Sequence, residues 1–92
     1  MGYQVRHKGY GVYQGEFLGF GIWHPMSSMP EQGYAEFDTQ EEAQRFIDFL
    51  CSPECAAQEN RDDLIIEPFD EETSNRLVVE GEARFSARGL LL

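Results

Sequence analysis

One segment of this 92-residue chain carries a clear helical period, and it limits the folds open to the rest. Thr39 stands three residues before Glu42, the pattern of a capping box that satisfies free N–H groups at a helix start. Gln40, Glu41 and Glu42 follow, with negative charge at the positive end of the helix dipole. Ala43, Phe46, Ile47 and Leu50 then fall at i, i+3, i+4 and i+7. That spacing gives one apolar stripe, with Glu41, Glu42, Arg45 and Asp48 facing away. The spacing predicts a helix over Gln40–Leu50 whose Phe46, Ile47 and Leu50 pack on a sheet.

The flanking segments read as strands. Tyr3, Val5 and His7 alternate with Gln4, Arg6 and Lys8, the period of a half-buried strand. Gly11–Gln14 resumes extended structure after a turn at Gly9, and Gly15-Glu16 reads as a tight hairpin turn. Phe17–His24 is the most apolar strand candidate, and its Gly19 and Gly21 on one face suggest a bulge, a strong twist or the close approach of another element. After a loop over residues 25–33, Tyr34–Phe37 returns to strand. Past the helix, Ser52-Pro53 starts a short second turn. Leu64–Glu67 and Arg76–Glu80 read as two more strands, joined by an acidic turn over Asp70–Asn75. The terminal Leu90-Leu91-Leu92 either docks on the domain or is a loose end. The expectation is a single α+β domain over residues 1–92. It has an antiparallel sheet of four or five strands and one main amphipathic helix, in the order βββ-α-ββ.

Seventeen acids against seven bases give a net charge of −10. Residues 1–30 are nearly neutral, holding Arg6 and Lys8 against Glu16. Residues 31–82 hold sixteen acids against Arg45, Arg61 and Arg76, a net of −13, and residues 83–92 add Arg84 and Arg88. Such a field repels nucleic-acid backbones and anionic membranes and favours basic partners. No apolar run is long enough for a membrane span. No secretory signal opens the chain, so the two cysteines are expected as reduced thiols in a cytoplasm.

Catalytic and metal constellations are weak. Cys51 and Cys55 form C-x3-C, a poorer spacing for zinc than paired C-x2-C, and His7 and His24 lie in separate strands. Two small thiols packed near a helix end account for the pair as well. A Cys–His nucleophile is opposed by Glu54 next to Cys55. The glycines of residues 9–21 lie within and between strands, with no helix start to receive a phosphate. Tyr3, Tyr10, Tyr13, Phe17, Phe20 and Trp23 lack the positive groove of a base-stacking platform. They read as core, with about two rings left for a protein interface. No catalytic residue, metal, cofactor or small-molecule substrate is expected.

The candidate binding residues are Asp62, Asp63, Glu67, Asp70, Glu71 and Glu72, which cluster in eleven residues around one short apolar strand. Carboxylates in such an array present a surface that mimics a nucleic-acid backbone to a basic groove. A solvated acidic surface is the competing reading.

The stretch YQVRHKGYGVYQGEFLGFGIW followed by FDTQEEAQRFIDFL resembles small proteins carried by bacteriophages and mobile elements. In size and acidity the chain is similar to anti-CRISPR inhibitors. The resemblance implies a non-enzymatic inhibitor in the bacterial host cytoplasm. Its partner would be a protein complex with a basic surface, such as an RNA-guided Cas complex, whose access to nucleic acid it blocks. Arg6 and Lys8 are then the residues for a minor RNA contact. The alternative is a small bacterial accessory or scaffold subunit that binds a basic protein partner. With no metal in the expected fold, excess chelator should leave the melting temperature unchanged; a large drop in calorimetry would show a structural metal site.

Overall fold

The computed structural model describes residues 2–29 and 31–91, with side chains as far as Arg84. The placement expected of Leu90–Leu92 lies outside the described side chains. Strands β1 (Tyr3–His7), β2 (Gly11–Phe17) and β3 (Phe20–Pro25) precede helix α1 (Gln40–Leu50). A 3-10 turn (Arg61–Asp63), strand β4 (Leu64–Pro68) and helix α2 (Glu71–Leu91) complete the chain. The four strands form one antiparallel sheet in the order β3-β2-β1-β4, so the fold is α+β.

Both hairpins are built locally. At the end of β1, His7 Nδ1 accepts from the backbone N–H groups of Gly9 (3.0 Å) and Tyr10 (3.2 Å), closing the turn to β2. The β2–β3 turn is Leu18-Gly19, both at positive φ, between the paired Phe17 and Phe20. Two positive-φ residues are what a two-residue hairpin of matching twist requires. Gly15-Glu16 is therefore not the turn. Gly15, at φ 138°, follows an irregularity after Tyr13 that bulges β2 outward at Gln14. The apolar run Phe17–His24 is split between β2 and β3 by the turn. Gly21 keeps the expected close approach, since a Cβ there would sit 3.1 Å from Trp23 Nε1.

The bulge shapes the centre of the sheet. β1 and β2 pair only at Arg6–Val12 and His7–Gly11. Beyond that, Ala35 N donates to Tyr13 O (2.9 Å), while Tyr3 and Phe37 exchange two backbone bonds of 2.8 Å. Residues 35–37 thus bond to both strands where they diverge. The strand expected over Tyr34–Phe37 is reduced to that bridge at Phe37, because it has no continuous partner edge.

Helix α1 starts and ends where the sequence places it. Thr39 Oγ1 accepts from Glu42 N (3.1 Å), and Glu42 Oε2 accepts from Asp38 N (3.2 Å), one residue earlier than in an ideal capping box. Ala43, Ile47 and Leu50 are buried against Val5, Trp23 and Leu64 on one sheet face. Phe46 is half-buried beside Tyr13 and Phe37, with ring centroids 4.4 and 5.3 Å away. Residues 51–57 form turns, with no second helical segment. Cys51 and Cys55 are free thiols packed against the same cluster.

The opposite sheet face holds polar side chains. Gln4, Gln14 and Ser74 are all at least nine-tenths buried there. Gln4 donates through Nε2 to Glu67 (2.6 Å) and accepts at Oε1 from Asp70 N (2.9 Å), so β1 fixes the start of α2. That helix replaces the acidic turn and fifth strand expected over residues 70–80. Asp70 Oδ1 caps it by accepting from Thr73 N (3.1 Å), and Glu71 and Glu72 follow in the first turn. Ser74 and Gly81 are then buried on one side of the helix, and Val78 is half-buried. Tyr34 N donates to Ser74 Oγ (2.9 Å), and Gly33 lies so close that a Cβ would meet Ser74 Oγ at 2.6 Å. The β-branched Val78 and Val79 belong to a helix because the cap and this packing outweigh propensity.

Two stability outcomes follow. Ile47→Ala should cost about 2–5 kcal/mol in denaturant titration, and Phe46→Ala should cost less because part of that ring is already in solvent. The cap hydrogen bonds from Thr73 hold the Asp70 carboxyl below its usual range, so its stabilisation is present above that range and lost as pH falls through it. Asp70→Asn keeps a competent cap and should flatten part of the acid limb of stability against pH, with helicity in circular dichroism unchanged.

Candidate functional site

The six acids singled out in the sequence divide into two groups at opposite ends of β4. Asp62 and Asp63 lie in the 3-10 turn, where Asn60 Oδ1 accepts from Asp62 N (3.0 Å). Asp70, Glu71 and Glu72 lie beyond the other end, a five-residue strand away, roughly 17 Å. Glu67 sits between them and points into the polar face, where its Oε1 accepts from Gln4 and pairs with Arg6 (2.9 Å). Asp70 is the α2 cap. Glu67 and Asp70 therefore have structural partners, whereas Asp62, Asp63, Glu71 and Glu72 make no side-chain hydrogen bond among the described residues. Arg6 is tied to Glu67, and Lys8 is exposed at the β1–β2 turn.

A second feature was not apparent from the sequence. On the α1 side of the sheet, a cleft of about 700 Å³ opens between the β2–β3 hairpin and the chain that leaves α1. One wall is Tyr10, Tyr13, Phe20 and Trp23; the other is Phe46, Phe49 and Leu50, continued by residues 54–57 and Glu59. Its volume lies within the ordinary range of ligand sites. The rings are in register: Tyr10 and Tyr13 stand edge-on to Trp23, with centroids 5.6 and 5.1 Å away. Such T-shaped contacts give a firm wall. The hairpin tip is apolar and in solvent, with Leu18 81% and Phe20 73% exposed, and Met26 and Phe49 are about half exposed.

The polar lining of the cleft is acidic. Glu16, Glu54 and Glu59 line it, and no Lys, Arg or His among the described residues does. Glu59 is the inner one. His7 Nδ1 already accepts two backbone N–H groups, so the ring proton is on Nε2, which donates to Glu59 Oε2 (3.0 Å). Glu59, as a nearby acceptor and charge, raises the Tyr10 phenol above its ordinary value, with burial and then the charge of Asp63 adding to the effect. Burial, then the charge of Glu16, raises Tyr13. Both phenols therefore stay neutral. Glu16 and Glu54, by contrast, are exposed, with no hydrogen-bond partner among the described residues.

The arrangement is suited to binding. Cys55 lines the cleft, but His7 has no free ring nitrogen to take its proton. His24 turns its Nδ1 to Ser28 Oγ (2.9 Å) on the polar face of the sheet. The described residues contain no group of three or more metal-ligating side chains, and no described helix is long and apolar enough to cross a membrane. Comparison with protein-family models, with curated proteins and with solved structures gives no match to this chain.

Proposed function

We propose that this protein is a non-enzymatic interaction protein that binds a basic surface of a nucleic-acid-handling complex and competes there with nucleic acid. The observation that carries the reading is the surplus of free carboxylates. Among the described residues, Arg6–Glu67 and Arg61–Asp48 are the arginine–carboxylate pairs, and His7–Glu59 is a neutral-ring contact inside the fold. Most of the sixteen acids of residues 31–82 therefore point their charge at solvent. An unneutralised field of this kind speeds encounter with a basic partner and repels the phosphates that partner normally holds. The resemblance to phage-borne inhibitors favours an RNA-guided complex as the target class, in a bacterial host cytoplasm.

The structure identifies which acids to change. Asp62→Asn, Asp63→Asn, Glu71→Gln and Glu72→Gln together remove four charges and no internal hydrogen bond among the described residues. Each exposed charge is worth only about 0.2–1 kcal/mol, so the effect is read on the set. A nuclease-treated bacterial lysate is passed over the immobilised protein at low salt, and the captured complex is assayed for binding of labelled DNA. Capture should fall as salt rises, the fourfold variant should show a weaker and flatter salt dependence, and added protein should displace DNA. Capture that ignores both salt and variant, or a complex that keeps its DNA, would overturn the reading.

A further inference from the structure

We infer that the aromatic cleft seats an arginine-bearing apolar segment of the protein partner, with the guanidinium held by Glu16 and Glu54 against the neighbouring rings. The inference rests on the basic-partner reading above and assigns it a contact point that the charge count alone does not give.

Three features of the cleft select this occupant. First, the charge is one-sided. Among the described residues, Glu16 and Glu54 line the cleft without partners, and no cationic side chain lines it. An anion is repelled there, which removes a nucleobase stacked with its phosphate, and a cation is attracted. Second, the uncharged wall is aromatic. Tyr13 and Phe46 pack at 4.4 Å between centroids, and Phe20 is 73% exposed beside them. Aromatic faces attract cations, and a planar, weakly hydrated guanidinium stacks on them better than an ammonium does. Third, the rim is apolar. Phe20, Met26 and Phe49 line it and are at least half exposed. At about 700 Å³ the cleft admits more than one side chain, so the arginine arrives with apolar neighbours. The inner carboxylate of Glu59 is committed to His7, which keeps the back wall fixed while the outer two carboxylates meet the ligand.

Trp23 is the only tryptophan of the chain and lines the cleft, so its fluorescence reports this site. The probes are capped nine-residue peptides of alternating leucine with arginine, with citrulline or with glutamate. Citrulline keeps the shape of arginine and removes its charge. The leucine–arginine peptide should shift Trp23 emission saturably, and the citrulline peptide should bind at least tenfold more weakly. The glutamate peptide should leave the spectrum unchanged. Glu16→Gln with Glu54→Gln should weaken the arginine peptide tenfold or more, while Glu80→Gln with Glu82→Gln, exposed on α2, should change it less than twofold. Both pairs are exposed, and circular dichroism confirms that the variants are folded. Equal binding of arginine and citrulline peptides, or no response of Trp23, would overturn the cleft assignment while leaving the lysate capture to decide the broader reading. Weakening by the Glu80/Glu82 pair alone would move the contact to α2 and also overturn it. The chain's own Arg84–Leu92 stretch has similar chemistry, so sedimentation of the protein alone is measured as well. A dimer that dissociates in the Glu16/Glu54 variant would make a second copy the occupant and overturn the partner assignment.

Discussion

His7 is the residue on which the candidate site depends. Its side chain is 7% exposed, and both ring nitrogens are used. One accepts the two N–H groups that close the β1–β2 turn; the other donates to Glu59 on the chain leaving α1. The ring also stacks on Tyr10 at 3.7 Å and meets the edge of Trp23. Glu59 is anchored in turn by its N–H to Leu50 O (2.8 Å), so residues 51–58 close as a loop over the end of the helix. One imidazole thus joins the sheet wall of the cleft to the loop wall. A cleft held open in this way binds without first ordering its own side chains, which lowers the entropic cost of association.

The two sheet faces are stabilised by different means. The α1 face is apolar and gains from removing Val5, Ile47 and Leu64 from water. The other face buries Gln4 and Gln14, whose amides must find partners or cost stability. Gln4 satisfies both ends of its amide, on Glu67 and Asp70. Gln14 and Gln32 each donate to the other's backbone carbonyl, and Gln14 Oε1 is left without a donor among the described residues. These amides tie β1 to β4 and the start of α2, and β2 to the segment that precedes α1. They also explain why a strand that alternates Tyr3, Val5 and His7 with polar residues is covered on both faces.

Local signals were legible in the sequence, and assembled ones were not. The Thr39–Glu42 cap and the stripe to Leu50 specify α1 because every contribution comes from within twelve residues. The same kind of signal stands at Asp70–Thr73, with Glu71 and Glu72 behind the cap. It was outweighed by Leu77-Val78-Val79, an apolar run with two β-branched residues that reads as strand in isolation. What makes that run helical is Gly33 and Tyr34, some forty residues earlier. The hairpin turn was misplaced because Gly15 and Gly19 look alike in sequence, and only pairing tells a bulge from a turn. The cleft was invisible for a stronger reason: its lining runs from Tyr10 to Glu59, and no spacing rule links the two. The sequence did indicate that about two early rings would stay exposed, and Phe17 and Phe20 are at least half in solvent.

The position of β1 bears on how the protein is made. It is synthesised before the other strands of its sheet, yet it lies inside the sheet with β4 as its most extensively paired neighbour, from Tyr3–Pro68 to His7–Leu64. The β2–β3 hairpin can form early from its own residues. β1 cannot complete its edge until residue 68 has been synthesised, and Gln4 has no partners until Glu67 and Asp70 arrive. Contacts this distant in sequence slow folding and leave apolar strand edges exposed in the meantime. Translation that stalls between residues 50 and 64 should therefore release chains that hold a hairpin and a helix but no closed core, the species most prone to aggregate or to be degraded.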